Sequence, residues 1–154
     1  MKSEAQHLNA SRLLALSGES VQSTKRLFEW AAASLSEALG LNREGIYRAL
    51  LAREKLGSTA VGEGVAIPHS RLDDCTEPAG CLITLPTGID FNAPDNRAVD
   101  IVFVLLVPKE ATQQHLDLLA MLAKTLSDES LRDRIRTARD AVAARTLLAE
   151  GLGL

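Results

Sequence analysis

The sequence predicts an α/β fold, a three-layer α/β/α sandwich with a central mixed β-sheet flanked by helices. Two observations carry this expectation. Stretches with helical apolar periodicity lie before and after the middle of the chain. Between them, Gly80-Cys81-Leu82-Ile83-Thr84-Leu85 and Val99-Asp100-Ile101-Val102-Phe103-Val104-Leu105-Leu106-Val107 are strand-like, and the second is apolar nearly throughout. That is the composition of a central strand covered on both faces. A length of 154 residues is most simply one domain spanning 1–154, large enough to bury roughly 70% of the surface its unfolded chain exposes.

Residues 1–10 are expected to be a loosely ordered start. Ser11 to Gly18 suits a short helical turn, and Glu19 to Gln22 a brief edge strand. The first long helix is predicted from Ser23, a favoured N-cap type, to Leu39. There Leu27, Trp30, Ala31, Ser34, Leu35, Ala38 and Leu39 recur at helical spacing on one face, and Gly40 supplies the stop. A second helix runs from a cap at Asn42 through Ile46, Ala49, Leu50 and Arg53 to about Leu56, and Gly57 ends it. Val65-Ala66-Ile67 is the first strand-like segment. The Gly80–Leu85 strand is ended by Pro86 and the Val99–Val107 strand by Pro108. Thr87 to Ala98 carries Gly88, Pro94 and an Asp-Asn pair, the composition of a turn or hairpin. Gln114 to Leu126 aligns Leu118, Leu119, Leu122, Ala123 and Leu126 on one helical face. Ser127-Asp128-Glu129 breaks that helix and caps the next, which carries Leu131, Ile135 and Ala138. A last helix spans Ala141 to Glu150 and stops at Gly151.

Composition narrows the function classes. A hydrophobic fraction of 46%, a charged fraction of 24% and a net charge of -3 are ordinary for a soluble globular chain. They provide no basic field for nucleic acid and no polybasic membrane patch. No apolar run reaches the roughly 18 residues of a membrane span, and Met1 to His7 is polar, without the apolar core of a signal peptide. A cytoplasmic protein without membrane insertion is the expectation. Cys75 and Cys81 fit neither a CxxC nor a zinc pattern and read as free thiols, at least one of them buried.

The chemistry concentrates in Gly57-Ser58-Thr59-Ala60-Val61-Gly62-Glu63-Gly64-Val65-Ala66-Ile67-Pro68-His69. Glycines let backbone amides approach a ligand. Pro68 fixes its own backbone and restricts Ile67, so His69 can be held rigidly. An imidazole with an ordinary pKa near 6.5 is mostly neutral at cell pH and is a competent nucleophile. Together these features suggest a phosphoryl acceptor cradled by N–H donors, because phosphoryl transfer depends mainly on positioning and charge stabilisation. The run is not a Walker A motif, since no Gly-Lys-Ser/Thr follows, and its helix–loop–strand order is the reverse of a dinucleotide-binding fingerprint. Arg53, at the end of the second helix, and Arg71 offer guanidinium forks suited to phosphate oxygens. His115 opens the helix after the long apolar strand, where α/β folds collect their sites. Glu63, Asp73, Asp74 and Asp117 lie at no metal-ligand spacing from the histidines, so no metal site is expected. His7 has no assigned role.

The segment Arg53-Glu54-Lys55-Leu56-Gly57-Ser58-Thr59 through Gly64-Val65-Ala66-Ile67-Pro68-His69, with Gln114-His115-Leu116-Asp117-Leu118-Leu119 downstream, resembles the type-2 IIA domains of the bacterial phosphotransferase system, the mannitol/fructose class. The resemblance covers about Leu8 to Leu148. The stretch Ile89 to Pro108, with its Leu105-Leu106-Val107-Pro108 ending, is most similar to the nitrogen-regulatory branch. The resemblance implies that His69 accepts a phosphoryl group through Nε2, from a phosphohistidine on a nitrogen-type HPr-like carrier charged by an enzyme I. It implies that Arg53 and His115 stabilise the transferring group, that Ser58, Thr59, Gly62 and Gly64 bind phosphate, and that no cofactor is needed. The implied output is regulation, by phosphorylation state, of targets such as potassium-transport or sensor-kinase proteins. The alternative is a sugar-specific IIA component that passes the group to a IIB domain.

The chain departs from the family pattern at three positions. Glu63 stands where the family often has Asn, Ala60 where it has Gly, and Ser70 where Gly often follows the active histidine. Glu63, Ser70 and Arg71 are therefore candidate modulators. A carboxylate beside a phosphohistidine repels it unless it pairs with Arg53 or Arg71 or points to solvent, and on that basis Glu63→Asn is expected to speed phosphorylation or to stabilise the phosphoryl form.

Overall fold

A computed structural model describes residues 8–18, 20–110 and 112–154. The elements are β1 (Leu13–Leu16), α1 (Thr24–Leu39), α2 (Arg43–Lys55), β2 (Ala60–Gly62), β3 (Val65–Ala66), β4 (His69–Leu72), β5 (Ala79–Ile89), β6 (Val99–Pro108), α3 (Thr112–Leu126), α4 (Glu129–Arg136) and α5 (Ala141–Leu152). The strands form one mixed sheet in the order β1-β5-β6-β3-β2. β4 pairs with β6 beyond β3, so that β3 and β4 together line one edge of β6. β1 runs parallel to β5, β5 antiparallel to β6, and β3 and β4 parallel to β6.

Two cores fill the spaces between the layers. On β6, Val102, Val104 and Leu106 pack into the core shared with α1 and α2, while Phe103, Leu105 and Val107 pack into the one shared with α3, α4 and α5. All six are 1% exposed or less, and burial of each is worth about 2 kcal/mol by apolar transfer. The expected three-layer α/β/α sandwich with a central mixed sheet is the observed architecture.

Local chemistry sets the helix boundaries. Ser23, Asn42, Asp128 and Asp140 each accept a hydrogen bond from a backbone amide in the first turn of α1, α2, α4 and α5, which satisfies donors that the helix leaves unpaired. Gly40 ends α1 in the left-handed region at φ 73°.

Several elements differ from expectation. Ser11 to Gly18 is not a helical turn throughout: a 3-10 turn at Ala10–Arg12 leads into β1. A four-residue apolar run does not distinguish helix from strand by periodicity, and here Leu13–Leu16 finds its partners on Gly80–Ile83. Ser20 to Gln22 is irregular rather than an edge strand, and Glu19 lies outside the described residues, as do His7 and most of the start at 1–10. β5 continues through Pro86 to Ile89, because its register with β6 slips between Thr84 and Ile89 and no ladder donor is needed at the proline. The hairpin strand β2 and the strand β4 were not anticipated. Gly151 lies inside α5, and the helix ends at Gly153. A Cβ at Gly151 would sit 3.1 Å from Thr125 and 3.2 Å from Leu131, so close helix packing accounts for a glycine there.

Candidate functional site

Three elements meet at the carboxyl end of β6. α2 brings Arg53 in its last turn, β4 begins at His69, and α3, which follows β6, carries His115. His69 lies opposite Leu105 of β6. The backbone before it is pinned on both sides: Leu105 N–H donates to the Pro68 carbonyl at 2.9 Å, and Ile67 N–H donates to the Thr59 carbonyl at 3.0 Å. Proline then restricts the remaining freedom.

The ring of His69 has a fixed orientation. Its Nδ1 is 2.7 Å from the Ile67 carbonyl. A carbonyl only accepts, so Nδ1 carries the proton and Nε2 holds the lone pair. The His115 ring stands edge-on to it, with centroids 5.1 Å apart and planes at 71°. Both rings line a cleft of about 450 Å³ with Arg53, Ser70 and Arg71, and Ala49, Ala52 and Leu56 form its apolar wall. Leu56 is 85% exposed.

The electrostatics favour neutral imidazoles. Burial lowers the pKa of His69 from its ordinary 6.5, and the charge of Arg53 lowers it further. The Ile67 carbonyl and the Glu54 carboxylate act in the opposite direction without cancelling the effect. His115 is 8% exposed, and its Nδ1 is buried with no hydrogen-bond partner. Burial, followed by the charges of His69, Arg71 and Arg53, brings its pKa down to about 4. At neutral pH the site therefore pairs two uncharged imidazoles with two guanidinium groups. That arrangement provides a nucleophile at Nε2 and cationic partners for a phosphoryl group.

Of the residues singled out in the sequence, Arg53, His69, Ser70, Arg71 and His115 come together in this cleft. Ser58, Thr59, Gly62 and Gly64 do not line it. The Ser58 hydroxyl donates to the Phe91 carbonyl and accepts from the Ala60 amide, and the Thr59 hydroxyl donates to Glu54 Oε1 at 2.7 Å. Gly62 and Gly64 form the β2–β3 turn, at φ 93° and 78°. Val65 lies opposite Ile101 and His69 opposite Leu105, so at about 3.3 Å per residue the turn is about 13 Å from the histidine along β6. In this structure the glycines expected to cradle phosphate lie away from the cleft, and their positive φ serves a tight hairpin turn.

Glu63 is likewise turned elsewhere. Its carboxylate accepts from Arg97 at 2.7 Å and lies 3.8 Å from Arg132. Its own amide donates to Asp95 Oδ2 at 2.9 Å, and its carbonyl accepts from Arg136 at 2.6 Å. It pairs with neither Arg53 nor Arg71. These contacts anchor the hairpin to α4 and the β5–β6 connection, and the expected repulsion of a phosphohistidine has no geometric basis.

Glu54, which has no assigned role in the sequence reading, binds Thr59 through both carboxylate oxygens. One signal was present: a carboxylate in the last turn of a helix opposes the helix dipole and so calls for a specific partner. Cys75 and Cys81 are both unpaired and buried. Burial pushes the Cys81 thiol up to about 12 and raises that of Cys75, which makes both unreactive. Among the described residues, no helix is long and apolar enough to cross a membrane.

A nitrogen regulatory protein of Pseudomonas aeruginosa is 44% identical over 122 residues, 79% of each chain. One of Bradyrhizobium diazoefficiens is 42% identical over 129 residues, 84% of each. The crystal structure of the nitrogen regulatory protein IIA-Ntr from Neisseria meningitidis superposes with a TM-score of 0.81 at 40% identity, covering 92% of this chain and 95% of that one. Residues 9–151 match the family described as phosphoenolpyruvate-dependent sugar phosphotransferase system, EIIA 2, and the chain belongs to that family.

Proposed function

We propose that this chain is a phosphoryl-carrier regulator of a nitrogen-type phosphotransferase system, with Nε2 of His69 as the acceptor. The observation that carries the proposal is the 2.7 Å contact between His69 Nδ1 and the Ile67 carbonyl, which leaves the Nε2 lone pair for attack. The donor is a phosphohistidine on an HPr-like carrier. The Nε2 lone pair forms the new N–P bond, and the donor's N–P bond breaks with its electron pair returning to the donor imidazole. No proton has to leave His69, whose Nδ1–H stays on the Ile67 carbonyl and helps to spread the positive charge of the phosphorylated ring. Arg53 and Arg71 offset the charge on the phosphoryl oxygens. Neutral His115 donates to one of those oxygens without adding a cation that would raise the desolvation cost.

The relatives named as nitrogen regulatory proteins support a regulatory output, in which phosphorylated and unphosphorylated forms engage different targets of the potassium-transport or sensor-kinase class in the cytoplasm. The experiment is intact-mass analysis after incubation with phosphoenolpyruvate, enzyme I and either a nitrogen-type or a sugar-type HPr. One acid-labile phosphoryl group, gained faster from the nitrogen-type donor and absent from His69→Ala, is expected. Faster charging from the sugar-type donor would favour a sugar-uptake component, and phosphorylation of His69→Ala would remove the assignment.

A further inference from the structure

The connection from α2 to β2 is clasped by two consecutive side chains. Arg53 Nη1 donates to the Gly57 carbonyl at 2.9 Å. Glu54 takes both donors of Thr59, the amide on Oε2 at 3.0 Å and the hydroxyl on Oε1 at 2.7 Å. The chain of contacts continues. The Thr59 carbonyl accepts from the Ile67 amide at 3.0 Å, and the Ile67 carbonyl accepts from His69 Nδ1 at 2.7 Å. Glu54 thus stands three hydrogen-bonded links from the ring whose tautomer decides which nitrogen attacks.

The geometry points to Glu54 as a positioning residue that sets the tautomer of His69 through Thr59 and Ile67, and so selects Nε2 as the phosphoryl acceptor. This inference rests on His69 being that acceptor. Two physical considerations support it. A carboxylate at a helix C-terminus is electrostatically disfavoured, and a two-pronged charge-assisted clasp offsets that cost while fixing the loop in one conformation. Without such an anchor the Thr59 end of that chain is held on the β2 side by the Ile67 amide and the short Ala60–Ala66 pairing alone, and an imidazole loosened with it samples both neutral tautomers. The Glu54 charge also lies close enough to His69 to favour its protonated form slightly, so geometry and charge have to be separated by experiment.

The test uses ¹⁵N-histidine-labelled full-length protein at about pH 8, well above the ordinary histidine pKa. The His69 tautomer is read from two-bond ¹H–¹⁵N correlations in the wild type, Glu54→Ala, Glu54→Gln and Thr59→Val. The wild type is expected to show a single Nδ1–H tautomer. Glu54→Ala is expected to show a mixture and to gain the phosphoryl group at least about tenfold more slowly, since small misplacements of a reacting group cost that much or more. Glu54→Gln, which accepts from the Thr59 amide and donates to its hydroxyl, should restore both within about threefold of wild type. Thr59→Val keeps the amide contact and should give a smaller change in the same direction; it also serves if Glu54→Ala does not fold. An unchanged tautomer in both Glu54→Ala and Thr59→Val would overturn the inference, as would a Gln variant as impaired as the Ala one, because that result would mean that charge alone acts. The tautomer measurement needs no phosphoryl donor, so it fails or succeeds independently of the proposed relay.

Discussion

The Ile67 carbonyl lies two residues before His69 and accepts the proton on Nδ1 of its ring. The Pro68 between them has its carbonyl tied to the Leu105 amide of β6. The central, buried strand of the sheet therefore fixes the backbone from which the imidazole projects. This links the apolar run at Val99–Val107 to the chemistry: the run gives β6 its central position, and β6 gives His69 its register.

A pH–rate profile follows from the lowered pKa of His69. On the proposed assignment of His69 as the acceptor only the neutral ring attacks, and burial makes protonation harder than in free histidine. The rate of phosphoryl acceptance should remain level as pH falls through 6.5 and decline only below it. Stopped-flow transfer from a charged donor, corrected for the donor's own titration, measures this. A midpoint above 6.5 would contradict the account.

The same displacement affects stability. His115 binds its proton near pH 4 when folded and near its ordinary 6.5 when unfolded. Between those values the unfolded chain holds more protons, so stability is full above pH 6.5 and is lost as pH falls toward 4. Urea unfolding at about pH 7.5 and about pH 5 should differ by on the order of 2 kcal/mol more in the wild type than in His115→Asn. Parallel pH dependences would show that His115 titrates normally.

Glu63→Asn should leave phosphorylation within about twofold of wild type, because the side chain points to Arg97 and Arg132 and away from the cleft. Stability should change by less than about 1 kcal/mol: the Arg97 pair is exposed and contributes little, buried Arg132 keeps its bonds to the Leu126 and Ser127 carbonyls, and Asn tolerates the left-handed φ of 58° better than Glu does. Time courses by intact mass and a thermal melt check both halves of this prediction. A severalfold gain in rate would restore the view that Glu63 faces the phosphoryl group.

Gly64→Ala should be costly. The glycine sits at φ 78°, and a Cβ there would lie 2.6 Å from Arg136 Nη2 and 3.0 Å from Asp100 Oδ1. Strain at a positive φ together with displacement of the Arg136–Asp100 pair should destabilise by about 2 kcal/mol or more. Denaturant midpoints measure it, and a loss below about 0.5 kcal/mol, the range of a neutral surface change, would be inconsistent with the packing described.

Much of this was legible in the residues. Ser23, Asn42 and Asp128 announce their helices because a short polar side chain at an N-cap has a local purpose. The apolar β6 announces itself because burial on both faces leaves no room for alternation. β1 and β4 were not legible. Leu13–Leu16 has no period to read, and in His69–Leu72 only Leu72 is buried, so their strand character comes from partners distant in sequence. The cleft followed from the residue types at Arg53, His69 and His115. The roles of Glu54, Thr59, Gly62 and Gly64 did not, because a glycine-rich loop looks the same whether its turn faces a ligand or closes a hairpin, and only the register along β6 tells the two apart.

The most direct measurement is the position of the phosphoryl group on the His69 ring, read by long-range ¹H–¹⁵N and ³¹P NMR on protein charged from phosphoenolpyruvate through enzyme I and an HPr-like carrier. Phosphorus on Nε2, with Nδ1 still protonated, is the predicted result. Phosphorus on Nδ1, or on any residue other than His69, would contradict the account.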